Sequence, residues 1–96
     1  MELMLHVTSA DSAPLLLPLA RACGRAGVAW GCFFTNDGVR ALADQAIVAA
    51  LASAAKAQVC EHSWTHHMGT GTAPVELASQ TANSAMMAEA RRVVSL

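Results

Sequence analysis

Charged residues are scarce in this chain. Asp, Glu, Lys and Arg make up 14% of its 96 residues, against about 25% in ordinary soluble domains. Low hydrophobicity or high net charge would keep a chain unfolded, and neither applies, since 54% of the residues are hydrophobic and the net charge is −1. A small domain with so few charges exposes apolar surface. We therefore expect one folded α/β domain over residues 1–96 that associates with copies of itself.

Three further absences limit the partners and the cellular compartment that we expect. No block of basic residues could neutralise a run of phosphates, so a direct nucleic-acid partner is not expected. The longest apolar stretches, such as 46–55, are shorter than the ~20 residues that cross a bilayer, so no membrane partner is expected. The first residues lack the basic segment and cleavage site of a secretory signal. These features predict a cytoplasmic protein.

Paired cysteines and phosphate-binding glycine motifs are also missing. Cys23, Cys32 and Cys60 are odd in number and have no paired spacing, which favours reduced thiols over a disulfide framework. The chain contains neither a Walker motif nor a dinucleotide fingerprint. We therefore predict no cofactor.

Apolar runs alternate with helical patterns along the whole chain. Strands are predicted at residues 3–8, 28–34, 57–60 and 92–96, and the uninterrupted apolar run at 28–34 is typical of a strand covered on both faces. Helices are predicted between them, with Asp37 and Asp44 as caps in the middle of the chain and Ser79 or Thr81 as the cap of the last helix. This alternation predicts an open, mainly parallel sheet of about four to five strands flanked by helices.

Ligands of such sheets bind beyond the carboxyl ends of the strands. Asp11 follows the first predicted strand, and Asn36 and Asp37 follow the second, which makes them candidate binding residues as well as turn and cap residues. Cys60 ends the third strand where a helix begins, so backbone N–H groups and the helix dipole can stabilise its thiolate there. Ser63 is a further candidate binding residue. The alternative for Cys60 is a small buried hydrophobe without chemistry.

Three histidines follow Cys60 closely. His66 and His67, together with His62, are candidates for tuning the Cys60 pKa or for protonating a leaving sulfur. His62 and His66 are four residues apart and share one helical face, so a metal site formed by Cys60, His62 and His66 is a second interpretation. The spacing lacks an evident fourth ligand, and clustered surface histidines are often merely solvated.

Three stretches of the chain resemble one protein family. They are residues 33–39 (Phe-Phe-Thr-Asn-Asp-Gly-Val), residues 59–63 (Val-Cys-Glu-His-Ser), and residues 79–96, the last helix and strand. In order and spacing they are similar to the DsrE/DsrF-like family, small α/β proteins of sulfur metabolism that include the TusD-type sulfur-relay subunits. The sequence departs from the family at His62, Trp64, His66 and His67, which replace small and basic residues.

The resemblance implies a flavodoxin-like sheet, trimers or hexamers, and a cysteine that carries persulfide sulfur. By position that cysteine is Cys60, which makes sulfurtransferase activity and a TusA-like sulfur carrier protein as partner the leading expectations. The departures around Cys60 imply a different sulfur donor or acceptor. The alternative is a non-catalytic subunit of the same fold that assembles into an oligomer or binds a small ligand.

Overall fold

Strands and helices alternate from one end of the chain to the other. The computed structural model describes residues 1–96. Its regular elements are β1 (Leu3–Val7), α1 (Ala13–Ala26), β2 (Trp30–Phe34), α2 (Gln45–Ala50), β3 (Lys56–Cys60), α3 (Glu61–Met68), β4 (Glu76–Ala78), α4 (Gln80–Glu89) and β5 (Arg92–Ser95). Short 3-10 segments at Ala10–Ser12, Asn36–Ala43 and Leu51–Ser53 complete the connections.

The five strands form a single parallel sheet in the order β4-β3-β2-β1-β5. The predicted open parallel α/β architecture is therefore confirmed, and it is consistent with a flavodoxin-like fold. β2 lies in the middle of the sheet and is buried along its whole length, as its continuous apolar run predicts. β4 and β5 are the two edges, and every residue of β5 is exposed.

The two faces of the sheet are covered unequally. On one face, the side chains of Leu5, Cys32 and Val59 belong to a cluster of 15 buried residues, which also includes residues of α1, α2 and α3. The opposite face carries a smaller cluster of Met4, Phe33, Cys60 and Met86. Only α4 covers this second face, so Cys60 and the residues of α4 share one side of the sheet.

The sequence pattern placed most elements correctly but missed one strand. β4 pairs with β3 through Gln58, Val59 and Cys60, yet the pattern along the chain predicted no strand between the third helix and the last one. β4 has only three residues, and Glu76 and Leu77 are exposed, so it shows no buried apolar run. The predicted fourth strand at residues 92–96 is the fifth strand of the sheet.

The caps follow the predictions with one exception. The Asp44 carboxylate accepts a hydrogen bond from Ala46 N–H at 2.8 Å, and the Ser79 hydroxyl accepts one from Ala82 N–H at 3.2 Å. Asp37 does not cap its own segment, because its carboxylate lies 3.4 Å from Ala10 N and links the segment after β2 to the turn after β1. The prediction of an Asp37 cap was therefore wrong.

The folded chain exposes 5085 Å² of accessible surface. A compact monomer of this mass should expose roughly 5,200 Å², so the chain reaches ordinary compactness by itself. No helix has the length and apolar character needed to span a membrane.

Candidate functional site

Cys60 lies at a junction without a loop. It is the last residue of β3 and the N-cap of α3, which begins at Glu61. A side chain at the first turn of a helix meets unpaired backbone N–H groups and the positive end of the helix dipole. The Cys60 side chain is 5% exposed. The local sequence therefore places a thiol where an anion is stabilised, as we expected.

Hydrogen-bond donors surround the Cys60 sulfur. Burial raises the pKa of the Cys60 thiol, but hydrogen bonds from the Ser63 hydroxyl and backbone N–H, the Gln80 side chain and the His62 backbone N–H outweigh it and hold the pKa below its ordinary value. Cys23 is equally buried, at 5% exposed, and burial alone raises the pKa of its thiol. Burial likewise raises the pKa of Cys32. The donors therefore distinguish Cys60 from the other two cysteines.

Ser63 is oriented by the segment that follows β2. The backbone N–H of Asn36 donates to Ser63 Oγ at 2.9 Å, and Thr35 Oγ1 lies 3.4 Å from the same oxygen. A hydroxyl has one proton to donate, and with Ser63 accepting from Asn36 its proton is available to the Cys60 sulfur. Asn36 adopts a left-handed conformation with φ 51°, which asparagine tolerates better than most residues. Asn36 therefore contributes through its backbone, by fixing the direction of the Ser63 hydroxyl.

Gln80, at the first turn of α4, completes the set of donors. Its Nε2 donates to Thr35 Oγ1 at 2.9 Å, and its amide contributes to lowering the pKa of the Cys60 thiol. Because Thr35 accepts this bond, its own proton can be donated to Ser63 Oγ. Neither Thr35 nor Gln80 is among the binding residues predicted from the sequence. A signal was present for Gln80, since Gln80 and Asn83 form an amide pair three residues apart at the start of a helix rich in alanine and methionine.

An open cleft of about 490 Å³ lies beside the sulfur. It separates the start of α3 from the end of β4 and the start of α4, and its lining residues are Cys60, Glu61, His62, Thr65, Ala78, Ser79 and Gln80. The cleft lies at the carboxyl ends of β3 and β4, and open parallel sheets bind ligands beyond the carboxyl ends of their strands. The cleft is therefore the candidate binding site of this fold.

The glycine-containing loop at 69–74 does not line this cleft. Trp64, which is buried in the larger cluster, donates from Nε1 to the Gly71 carbonyl oxygen at 2.8 Å. This bond holds the loop against the face of the sheet opposite to the Cys60 side chain. Trp64 therefore packs in the core and anchors the loop.

The three histidines extend away from the sulfur along α3. The rings of His62 and His66 stack with centroids 6.4 Å apart, and His66 meets His67 edge-on at 4.7 Å. His62 lines the cleft, whereas His66 and His67 do not. The backbone N–H of His62 is among the groups that lower the pKa of the Cys60 thiol. A tuning or acid/base role of the imidazole rings stays a prediction.

The structure assembles no metal site from these residues. No group of three His, Cys, Asp or Glu side chains is placed so that it could hold a metal ion. Cys60, His62 and His66 therefore do not form the ligand set that the second interpretation required.

Asp11 and Asp37 lie apart from the cleft. Asp11 is exposed in the 3-10 segment after β1, and Asp37 is exposed after β2 and links that segment to Ala10. Neither lines the cleft beside Cys60. Of the four predicted binding residues, Ser63 therefore acts on Cys60, and Asn36 is linked to the site through its backbone bond to Ser63.

The chain was compared with known families and with curated proteins. No family model matches it, and no curated protein matches it either. The likeness to the DsrE/DsrF-like family thus rests on the three quoted stretches of sequence.

Proposed function

We propose that this protein is a sulfur-relay protein of intracellular sulfur metabolism that accepts sulfane sulfur as a persulfide on Cys60 and passes it to a carrier protein. The observation that carries the proposal is the placement of Cys60 as N-cap of α3 beside the open cleft, where the Ser63 hydroxyl, the Gln80 amide and the backbone N–H groups of His62 and Ser63 lower the pKa of its thiol. Each of them stabilises negative charge on sulfur, and the thiolate is the nucleophilic form of cysteine.

Loading and release are both exchange reactions at divalent sulfur. The Cys60 thiolate attacks the outer sulfur of a donor persulfide, so that a new S–S bond forms at Cys60 while the donor S–S bond breaks and the donor leaves as a thiolate. In release, a thiolate of the acceptor attacks the outer sulfur on Cys60, and the Cys60 thiolate is the leaving group. The sulfane sulfur moves with no net oxidation or reduction, so the cycle needs no cofactor.

The same donors support both steps. In loading they increase the fraction of Cys60 present as thiolate, and in release they stabilise the Cys60 thiolate as it leaves. The cleft beside the sulfur is open, so an incoming thiol or persulfide on a partner has an approach from the α3 and α4 side. A TusA-like sulfur carrier protein is the acceptor that we propose, and the working form is a homo-oligomer of three or six subunits.

Intact-mass spectrometry tests the proposal directly. Tag-free protein is exposed to polysulfide, and wild type should gain sulfur atoms that a reductant removes. Cys60→Ala should gain none, whereas the matched variant Cys23→Ala, which removes an equally buried thiol, should load as wild type does. Sulfur uptake by Cys60→Ala equal to that of wild type would refute the proposal.

The burial of Cys60 favours a second candidate function. The side chain is 5% exposed and packs with Met4, Phe33 and Met86, as an inert core cysteine would. Exposed apolar side chains at Leu15, Leu77, Val93 and Val94 would serve assembly. A non-catalytic oligomeric or ligand-binding subunit is therefore the alternative. Native mass spectrometry of the same samples favours it if wild type and Cys60→Ala form the same oligomer and neither takes up sulfur.

A further inference from the structure

A row of hydrogen-bonded side chains joins His6 to the site. His6 Nε2 lies 3.2 Å from Asn83 Nδ2, Asn83 Nδ2 donates to Gln80 Oε1 at 3.0 Å, and Gln80 Nε2 donates to Thr35 Oγ1 at 2.9 Å. Gln80 lines the cleft together with Cys60. The row runs across the face covered by α4, from β1 to β3. His6 does not touch the sulfur, and neither the family resemblance nor the proposed exchange reaction uses it.

The donor and acceptor ends of the row are interdependent. A side-chain amide has a donating and an accepting end. Because Asn83 donates to Gln80 Oε1, the accepting end of Gln80 is occupied and its NH₂ donates to Thr35 at the cleft that Gln80 shares with Cys60. Asn83 in turn donates to a ring nitrogen, and this requires that His6 Nε2 carry no proton.

Rotating the Asn83 side-chain amide by about 180° would exchange its donor and acceptor and so reverse the direction of the hydrogen bonds in the row. Its Oδ1 is buried without any hydrogen-bond partner, although Asn83 is 6% exposed, and such an atom is costly. Rotating the amide would bring Oδ1 towards His6 and Gln80. Two oxygens would then face each other, and Gln80 would have to turn its NH₂ away from the sulfur. An acceptor at His6 Nε2 disfavours this rotation.

We propose that His6 is a positioning residue for Cys60: through its unprotonated Nε2 it fixes Asn83, and Asn83 fixes the Gln80 amide with its donor on the sulfur. The inference rests on the proposed function for the statement that Cys60 is the reacting thiol. Burial lowers the pKa of His6, which keeps the ring neutral at neutral pH. The side chains that neighbour it, Phe33 on β2, Ser95 on β5 and Asn83 on α4, carry no charge.

Alkylation of Cys60 by iodoacetamide, followed at the Cys60 peptide from pH 5 to pH 10, gives the thiol pKa and rate in each variant. His6→Phe keeps a flat ring and removes the acceptor, so it should raise the Cys60 pKa and slow alkylation at pH 7 by about threefold. His6→Gln, which offers an oxygen acceptor, should restore most of the rate. It also provides a second measurement if His6→Phe is poorly folded.

A double-mutant cycle separates positioning from a direct effect of His6 on the thiol. Gln80→Met removes the amide, so adding His6→Phe to it should change the Cys60 pKa no further. An equal effect of His6→Phe with and without Gln80, or no effect at all, would overturn the inference. Alkylation measures the thiol independently of sulfur transfer. A protein that takes up no sulfur but shows this coupling would refute the proposed function and leave the positioning role of His6 intact.

Discussion

Replacing Ser63 by alanine should weaken the Cys60 thiolate and the fold together. Ser63 is buried and accepts a hydrogen bond from Asn36 N–H at 2.9 Å, and its hydroxyl lowers the pKa of the Cys60 thiol. A hydrogen bond to a charged group contributes about 1.5 kcal/mol or more, and 1.36 kcal/mol corresponds to one pKa unit. We therefore expect Ser63→Ala to raise the Cys60 pKa by about one unit.

The expected change in the alkylation rate is smaller than the change in the fraction of Cys60 present as thiolate. At pH 7 the thiolate fraction falls about tenfold for one unit, but the remaining thiolate is more nucleophilic because nucleophilicity rises with pKa. With a Brønsted slope of about 0.4–0.5, alkylation of Cys60 by iodoacetamide should slow about threefold. The pH dependence of the rate, followed at the Cys60 peptide by mass spectrometry, gives the pKa itself.

The same substitution leaves Asn36 N–H without its acceptor. The lost bond should lower the free energy of unfolding by about 1 kcal/mol, or Tm by about 4–8 °C for a domain of this size. Ser84→Ala is the matched control, since Ser84 is exposed on α4 and should change neither quantity. A Ser63→Ala protein with the wild-type pH profile at Cys60 would refute the assignment of Ser63 as a donor to the sulfur.

Three further outcomes follow from the contacts. At pH 7 iodoacetamide should modify Cys60 well before Cys23 or Cys32, and peptide mapping that found equal labelling of the native protein would contradict the pKa order. Gly38→Ala should cost about 1–3 kcal/mol in urea unfolding, because a Cβ there would lie 2.4 Å from Val7 O, whereas Gly71→Ala has nothing within 4 Å and should be neutral. Burial depresses the pKa of His6 from 6.5 in the folded state, so the unfolded chain binds the extra proton and stability should fall as the pH drops below 6.5. A His6→Gln protein should lose that part of the slope, and identical slopes would contradict it.

The strands in the interior of the sheet could be predicted because burial leaves a pattern in the sequence. β2 is covered on both faces, and its run of apolar residues from Trp30 to Phe34 has no polar interruption. Gly27, with φ 68°, ends α1 as a glycine in the left-handed conformation commonly does. β4 leaves no such pattern, since it is a short edge strand with exposed residues. Its pairing with β3 depends on the rest of the sheet.

The candidate site could be predicted only in its local part. Cys60 and Ser63 are three residues apart, and the rules for helix N-termini are enough to bring the hydroxyl and the backbone N–H groups to the sulfur. Gln80 arrives from a different element, and Thr35 lies 28 residues before Ser63 and 45 before Gln80 along the chain. Asp11 and Asp37 share the carboxyl edge of the sheet but lie outside the cleft. The edge of the sheet alone therefore does not identify which side chains converge.

The convergence follows from where the last strand is placed. β1, β2, β3 and β4 succeed one another in a single direction across the sheet, and right-handed crossovers therefore put α1, α2 and α3 on one face. β5 returns past all of them to pair with β1, so the crossover that contains α4 runs in the opposite direction and covers the other face. If β5 had instead paired with β4, α4 would lie on the same face of the sheet as α3. Gln80 could then not reach Cys60, whose side chain lies on the opposite face. The position of β5, at the edge of the sheet opposite β4, thus determines that α4 lies beside Cys60. It thereby opens the cleft there and brings an amide of α4 to the site.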